Sequence, residues 1–237
     1  MTPARAIIAL DVPGAREAVA LADGLGPDCD FVKVGSELFT AAGPDVVAAL
    51  KRKPGGPDRD VFLDLKFHDI PNTVRAAARR AASLGVQLLT VHASGGRAMI
   101  EAAVEGAGAE CGVLAVTVLT SLDAAGLGEA WGRDVSDVQA EVLRLAELAR
   151  TAGARGVVCS GIEAAAVRKR HGGALEILVP GVRLAGSAAQ DQKRVVTPAA
   201  AVQAGATYVV IGRTVTQDAD PRGALARVRS QLLASPS

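Results

Sequence analysis

A closed (β/α)8 TIM barrel is the fold class this chain predicts, and three observations predict it. Short runs rich in Val, Ile and Leu recur roughly every 25 to 30 residues, separated by amphipathic stretches rich in Ala, Arg and Glu, the alternation of repeated βα units. Eight such runs fit into 237 residues, a length at which an α/β barrel forms one domain. No Gly-x-Gly-x-x-Gly turn follows the first run, as a doubly wound dinucleotide-binding sheet would have it. No proline-rich or serine-rich linker divides the chain, so residues 1–237 read as a single barrel domain.

Taken in order, the first strand is expected over residues 6–11, where alternation puts Ile7, Ala9 and Asp11 on one face. The second, 31–35, sets Phe31, Lys33 and Gly35 on one face and turns Val32 and Val34 outward onto helices. A loop, Lys53-Pro54-Gly55-Gly56-Pro57, then leads to the third strand, 61–66. There Val61, Leu63 and Leu65 share one face while Phe62, Asp64 and Lys66 share the other. Pro71 cannot continue a strand, and Asn72-Thr73 with the Ala-rich and Arg-rich stretch beyond reads as a helix start, which leaves Asp69 on the strand-to-helix loop. The remaining strands are expected over 88–92, 113–118, 156–160, 176–180 and 207–212. Polar residues gather at or just past the C-terminal ends of these runs, where barrels place their active sites: Asp11, Lys33, Asp64, Lys66, His92, Thr117, Ser160 and Arg213.

Composition narrows the partners. A net charge of +1 and 3% aromatic residues supply neither a basic tract nor a stacking platform for nucleic acid, so a small molecule is the expected partner. Cys29, Cys111 and Cys159 have no metal spacing and form no disulfide framework. The apolar run 6–10 is too short for a signal-peptide core or a membrane span, and a cytoplasmic location with no membrane contact is expected.

Two groups of residues carry chemistry. Lys33, Asp64, Lys66 and Asp69 alternate in sign, so each carboxylate can hold an ammonium and each ammonium offsets the cost of burying a carboxylate. The same spacing also suits an ion-pair network that only closes the barrel, or Mg²⁺ bound by Asp64 and Asp69, although the lysines already supply positive charge there. The second group lies after the last two strands, where Pro180-Gly181-Val182-Arg183 and Ile211-Gly212-Arg213 combine close-approach glycines with arginine forks suited to a phosphate. Together they suggest a phosphorylated small molecule held across the barrel mouth.

The ten residues Asp64-Leu65-Lys66-Phe67-His68-Asp69-Ile70-Pro71-Asn72-Thr73 resemble the signature of the orotidine 5′-monophosphate decarboxylases, in their bacterial monofunctional form. Ala9-Leu10-Asp11, Lys33-Val34-Gly35, Leu119-Thr120-Ser121, Pro180-Gly181-Val182-Arg183, Asp191-Gln192 and Ile211-Gly212-Arg213 follow in family order, so the resemblance runs the whole chain. It implies cofactor-free conversion of orotidine 5′-monophosphate to UMP and CO₂, the last step of de novo UMP synthesis. Lys66 would protonate C6 and Asp64 would lie near the departing carboxylate, with Lys33 and Asp69 holding Lys66 charged and aimed. Asp11, Lys33 and Thr73 would meet the ribose hydroxyls, and Thr120 and Ser121 the pyrimidine edge. Pro180, Arg183, Gln192, Gly212 and Arg213 would surround the 5′-phosphate, with residues 184–193 as a closing loop. Asp69 and Thr73 would come from the partner subunit of a homodimer.

Outside these groups, His68 reads as a loop anchor, His92 as a buried structural imidazole, His171 as a helix cap, Trp131 as packing and Cys159 as a buried thiol. The rival reading is a Mg²⁺-dependent sugar-phosphate lyase of the same superfamily, a 3-keto-gulonate 6-phosphate decarboxylase or a hexulose-phosphate synthase. A nucleotide-binding barrel without activity is the third, and the presence of Lys66 speaks against it.

Overall fold

A computed structural model describes residues 3–53, 55–184 and 196–233. Eight parallel strands, β1 (Arg5–Ala9), β2 (Phe31–Gly35), β3 (Asp60–Phe67), β4 (Leu88–His92), β5 (Gly112–Val116), β6 (Gly156–Val158), β7 (Glu176–Val179) and β8 (Tyr208–Ile211), follow one another around a closed barrel. Closure is made by β1 against β8, with Ile8 opposite Ile211. The connecting helices are α1 (Ala15–Gly24), α2 (Ser36–Ala42), α3 (Asp45–Lys51), α4 (Pro71–Ser83), α5 (Arg97–Ala107), α6 (Ala124–Trp131), α7 (Val138–Thr151), α8 (Gly161–His171), α9 (Pro198–Gln203), α10 (Arg213–Thr216) and α11 (Pro221–Leu233). Among the described residues no helix is long and apolar enough to cross a membrane.

Strand parity sorts the core into two layers. Ile7, Ala9, Phe31, Phe62, Leu88, Leu114, Val116, Leu178 and Val210 fill the barrel interior. Val32, Val34, Val61, Leu63, Leu89 and Val91 face outward into the larger layer between sheet and helices. The inward row on β1, β2 and β3 therefore ends, at the C-terminal rim, in the side chains of Asp11, Lys33 and Asp64.

β3 departs from simple alternation. Its pairing with β4 runs Phe62 to Leu88 and Leu63 to Leu89, then resumes only at Phe67 to Val91, so Asp64, Leu65 and Lys66 together stand against the single residue Thr90. This bulge places Lys66 in the left-handed region (φ 51), the one non-glycine residue among those described with positive φ. Such a conformation costs a lysine on the order of 1–3 kcal/mol, and the surrounding contacts must hold it there. Arg59, fully buried at the foot of β3, anchors the strand by donating to the carbonyls of Cys29 (3.1 Å) and Arg52 (3.0 Å) and pairing with Asp23 at 2.6 Å.

Expected and observed strands agree in number and order and differ at their ends. Asp11, Ser160, Pro180 and Gly212 lie just past the last ladder residue, because the chain turns into a loop or a helix start there. β3 is longer at both ends than the expected 61–66. Pro71 occupies the first position of α4, where a missing N–H costs nothing.

Candidate active site

At the C-terminal rim a cavity of about 520 Å³ opens, bordered by Asp11, Lys33, Asp64 and Lys66 on one side and by Pro180, Gly181, Arg183, Gly212 and Arg213 on the other. That volume suits one small molecule. Its floor is the apolar interior row, Phe62, Val116, Val158, Leu178 and Val210.

The charged wall is a continuous chain. Lys33 donates to Asp11 Oδ1 at 2.9 Å and its Nζ lies 4.0 Å from Asp64 Oδ2. Lys66 Nζ donates to the same Asp64 Oδ2 at 2.8 Å. Lys33 is nearly dry, with 11% of its side chain exposed, and Asp64 is scarcely wetter at 15%, whereas Lys66 is 36% exposed and reaches the open cavity. Two carboxylates flank the buried Lys33 ammonium and two ammoniums flank Asp64, so each charge offsets the burial cost of the next. Gly35 makes the arrangement possible, because a Cβ there would sit 2.8 Å from Lys33 Nζ and 3.3 Å from Asp11 Oδ1.

On the opposite wall, Arg183 is buried and its backbone N–H donates to Val196 O at 3.0 Å, which ties the residue after Val182 to the start of α9. Gly181 adopts φ +68, a conformation glycine adopts without strain. At Gly212 a Cβ would meet Ala9 Cβ at 3.8 Å, ordinary contact among the described residues.

Of the residues singled out from sequence, Asp11, Lys33, Asp64, Lys66, Thr120, Pro180, Arg183, Gly212 and Arg213 all border the cavity. Asp69 does not join the array of its own chain: it is exposed on the loop before α4, where its Oδ1 accepts the Ile70 N–H at 2.6 Å. Thr73 is exposed on the first turn of α4, and Ser121 is exposed beyond the cavity lining. Gln192 and most of the segment 184–193 lie outside the described residues.

Several polar residues at strand ends turn out to be structural. Thr117 donates to Val158 O at 2.8 Å, and Ser160 caps α8 by accepting the Ile162 N–H at 3.2 Å while its hydroxyl donates to Glu163. His92 stacks on His68 at 5.4 Å between ring centroids, outside the cavity. Burial, then the nearby His68 and Lys66, pushes His92 below the usual histidine range. The expectation that His171 caps its helix is not met: Gly172 terminates α8 with φ 56, and the His171 ring is buried with Nδ1 3.5 Å from Glu147. Burial raises the Cys29 and Cys111 thiols to about 11, which makes them unreactive at neutral pH.

Thr90 was not among the expected site residues. It lies on the inward face of β4 with Leu88, is fully buried, accepts the Lys66 N–H at 2.9 Å and donates to Asp64 Oδ1 at 2.9 Å. A hydroxyl at an inward strand position, two residues before the rim, was the available signal.

Comparison with known proteins finds matches along nearly the full length. The family described as "Orotidine 5′-phosphate decarboxylase / HUMPS family" matches residues 4–228. An orotidine 5′-phosphate decarboxylase of Halorhodospira halophila is 50% identical over 236 residues, 98% of each chain. One of Alkalilimnicola ehrlichii is 52% identical, covering 99% of this chain and 98% of its own. Among solved structures, orotidine 5′-phosphate decarboxylase from Lactobacillus acidophilus superposes with a TM-score of 0.85 at 36% identity, over 98% of this chain and all of that one.

Proposed function

The chain belongs to the orotidine 5′-phosphate decarboxylase / HUMPS family and is an orotidine 5′-phosphate decarboxylase, and from that premise we propose how its residues divide the work of making UMP and CO₂. The observation that carries the proposal is the unbroken chain Asp11–Lys33–Asp64–Lys66, which ends in an ammonium projecting into a cavity with two arginines on its far side.

Loss of CO₂ from C6 of orotidylate leaves an electron pair in the plane of the ring, where it cannot spread into the π system. Enzymes lower barriers by about 8–23 kcal/mol, and without a delocalising group most of that must come from fixed charges aimed at the developing anion. Lys66 supplies the nearest such charge. As the C–C bond breaks, its ammonium faces the carbanion at C6 and then donates a proton there, giving UMP, CO₂ and a neutral lysine that solvent reprotonates. Asp64, beside the departing carboxylate, holds Lys66 Nζ, and Lys33 offsets the charge of Asp64.

Asp11 and Lys33 meet the ribose hydroxyls, while Thr120, with Ser121 beside it, meets the pyrimidine edge. Pro180, Arg183, Gly212 and Arg213, joined by Gln192, surround the 5′-phosphate. Binding energy from this unreacting group stabilises the closed, charge-organised state. The working unit is a homodimer of single-domain barrels, spanning residues 1–237 and located in the cytoplasm, in which Asp69 and Thr73 complete the partner's site. The exposed edge 69–73 supports this, for Ile70 is 67% exposed there and neither Asp69 nor Thr73 borders the cavity of its own chain.

The test is an assay of orotidylate absorbance with purified protein in excess EDTA. Full turnover is expected. Orotidylate loss that vanished in chelator and returned with Mg²⁺ would overturn the metal-free reading of the site.

A further inference from the structure

Thr90 stands alone against three residues of β3, and the bulge leaves it two partners on the same stretch. A carboxylate can only accept and a backbone N–H can only donate, which fixes the direction of both bonds: the hydroxyl gives its proton to Asp64 Oδ1 and takes the Lys66 N–H on a lone pair. Asp64 Oδ2 then accepts from Lys66 Nζ. The three hydrogen bonds close a ring that runs from the backbone of Lys66 through Thr90 and Asp64 back to the ammonium of the same lysine.

Two consequences follow from chemistry. The left-handed backbone of Lys66 is held by the bond from its own N–H, the group whose direction is set by φ. Asp64 is held by Oδ1, so its carboxylate plane cannot swing toward Lys33, 4.0 Å away, at the expense of Lys66. Thr90 is fully buried, so water cannot stand in for a lost hydroxyl without opening the barrel wall.

We propose that Thr90 is a positioning residue for decarboxylation: its hydroxyl locks the Lys66 backbone and the Asp64 carboxylate together and so aims the Lys66 ammonium into the cavity. The proposal rests on the reading of Lys66 as proton donor. Only the hydroxyl is required, so serine can replace threonine in this role and alanine or valine cannot.

The experiment compares Thr90→Ser with Thr90→Ala, which lose the same methyl and differ only in the hydroxyl. A third variant, Thr90→Val, keeps the side-chain volume and guards against a packing effect in Thr90→Ala. The readouts are kcat, KM for orotidylate, affinity for UMP, and the rate at which bound UMP exchanges its C6 hydrogen with D₂O, the reverse of the protonation step. A displacement of the ammonium by about 1 Å corresponds to a loss of up to about 100-fold. Thr90→Ser should therefore keep kcat within about 3-fold, while Thr90→Ala and Thr90→Val lose about 30- to 100-fold in kcat and in C6 exchange, with KM and UMP affinity nearly unchanged. Equal kcat in the serine and alanine variants, or a loss confined to KM, would overturn the role. Lys66→Ala, measured alongside, separates the two readings: turnover in that variant removes the proton donor itself, whereas an inactive Lys66→Ala beside a fully active Thr90→Ala removes only the part given to Thr90.

Discussion

Replacing Gly35 by alanine should break the charged wall without touching substrate. The backbone at Gly35 has φ −92 and ψ 179, open to any residue, so the substitution introduces no backbone strain. Its effect is the added methyl alone, which would fall 2.8 Å from Lys33 Nζ and 3.3 Å from Asp11 Oδ1. Asp11 can move, being 57% exposed, but Lys33 has only 11% of its side chain in water and is enclosed by the barrel. The ammonium must therefore shift, which weakens its bond to the half-exposed Asp11 at a cost of about 0.2–1 kcal/mol. A destabilisation of about 1 kcal/mol lowers Tm by roughly 2–4 °C for a chain of this size. Catalysis should suffer more. A displaced Lys33 leaves Asp64 with one ammonium and, on the proposed roles, the ribose with one anchor fewer, so kcat/KM should fall by about 100-fold. Thermal melting followed by circular dichroism, with orotidylate turnover on the same preparation, measures both effects. Wild-type Tm and turnover would refute the placement of Lys33 between Asp11 and Asp64.

Other expectations follow from the same geometry. Arg213→Ala should weaken UMP binding by about 10- to 100-fold through loss of a charged donor to phosphate, read by calorimetry; unchanged affinity would put the phosphate elsewhere. Mixing Lys66→Ala with Asp69→Ala protomers should restore one competent site per heterodimer if Asp69 serves the neighbouring subunit, and no recovery in the mixture would count against sharing. His92 carries a native pKa pushed below its ordinary value, chiefly by burial, so the unfolded chain binds the extra proton first on acidification. Stability should therefore be complete above pH about 6.5 and decline below it, and His92→Gln should flatten that slope between pH 7 and 5.5. A slope unaltered by the substitution would mean that other groups carry it.

Much of this was legible in the sequence because parity in a barrel is strict. Ile7, Ala9 and Asp11, or Phe31 and Lys33, must share the interior face once the strands are parallel and closed, and the charged wall follows from where those rows end. Arg183 and Arg213 were legible for a similar reason, since each lies one or two residues after a glycine just past a strand. What alternation could not reveal was the bulge at Asp64 to Lys66, because an extra loop of backbone leaves no mark in the hydrophobic pattern. Thr90 and the left-handed Lys66 went unseen with it. Thr117 and Ser160 misled in the opposite direction: a hydroxyl at a strand end serves as readily to satisfy a carbonyl or a helix N-terminus as to meet a ligand. Asp69 and Thr73 illustrate a third limit: both are exposed in the single chain and neither borders its own cavity, so their proposed role has no mark within one barrel.

The account stands or falls on Lys66, and single-turnover decarboxylation by Lys66→Ala measures it most directly. Orotidylate should persist unchanged over many wild-type turnover times while UMP still binds within a few-fold of its normal affinity, since the arginine side of the cavity is left intact. Orotidylate consumed at close to the wild-type rate would contradict the account.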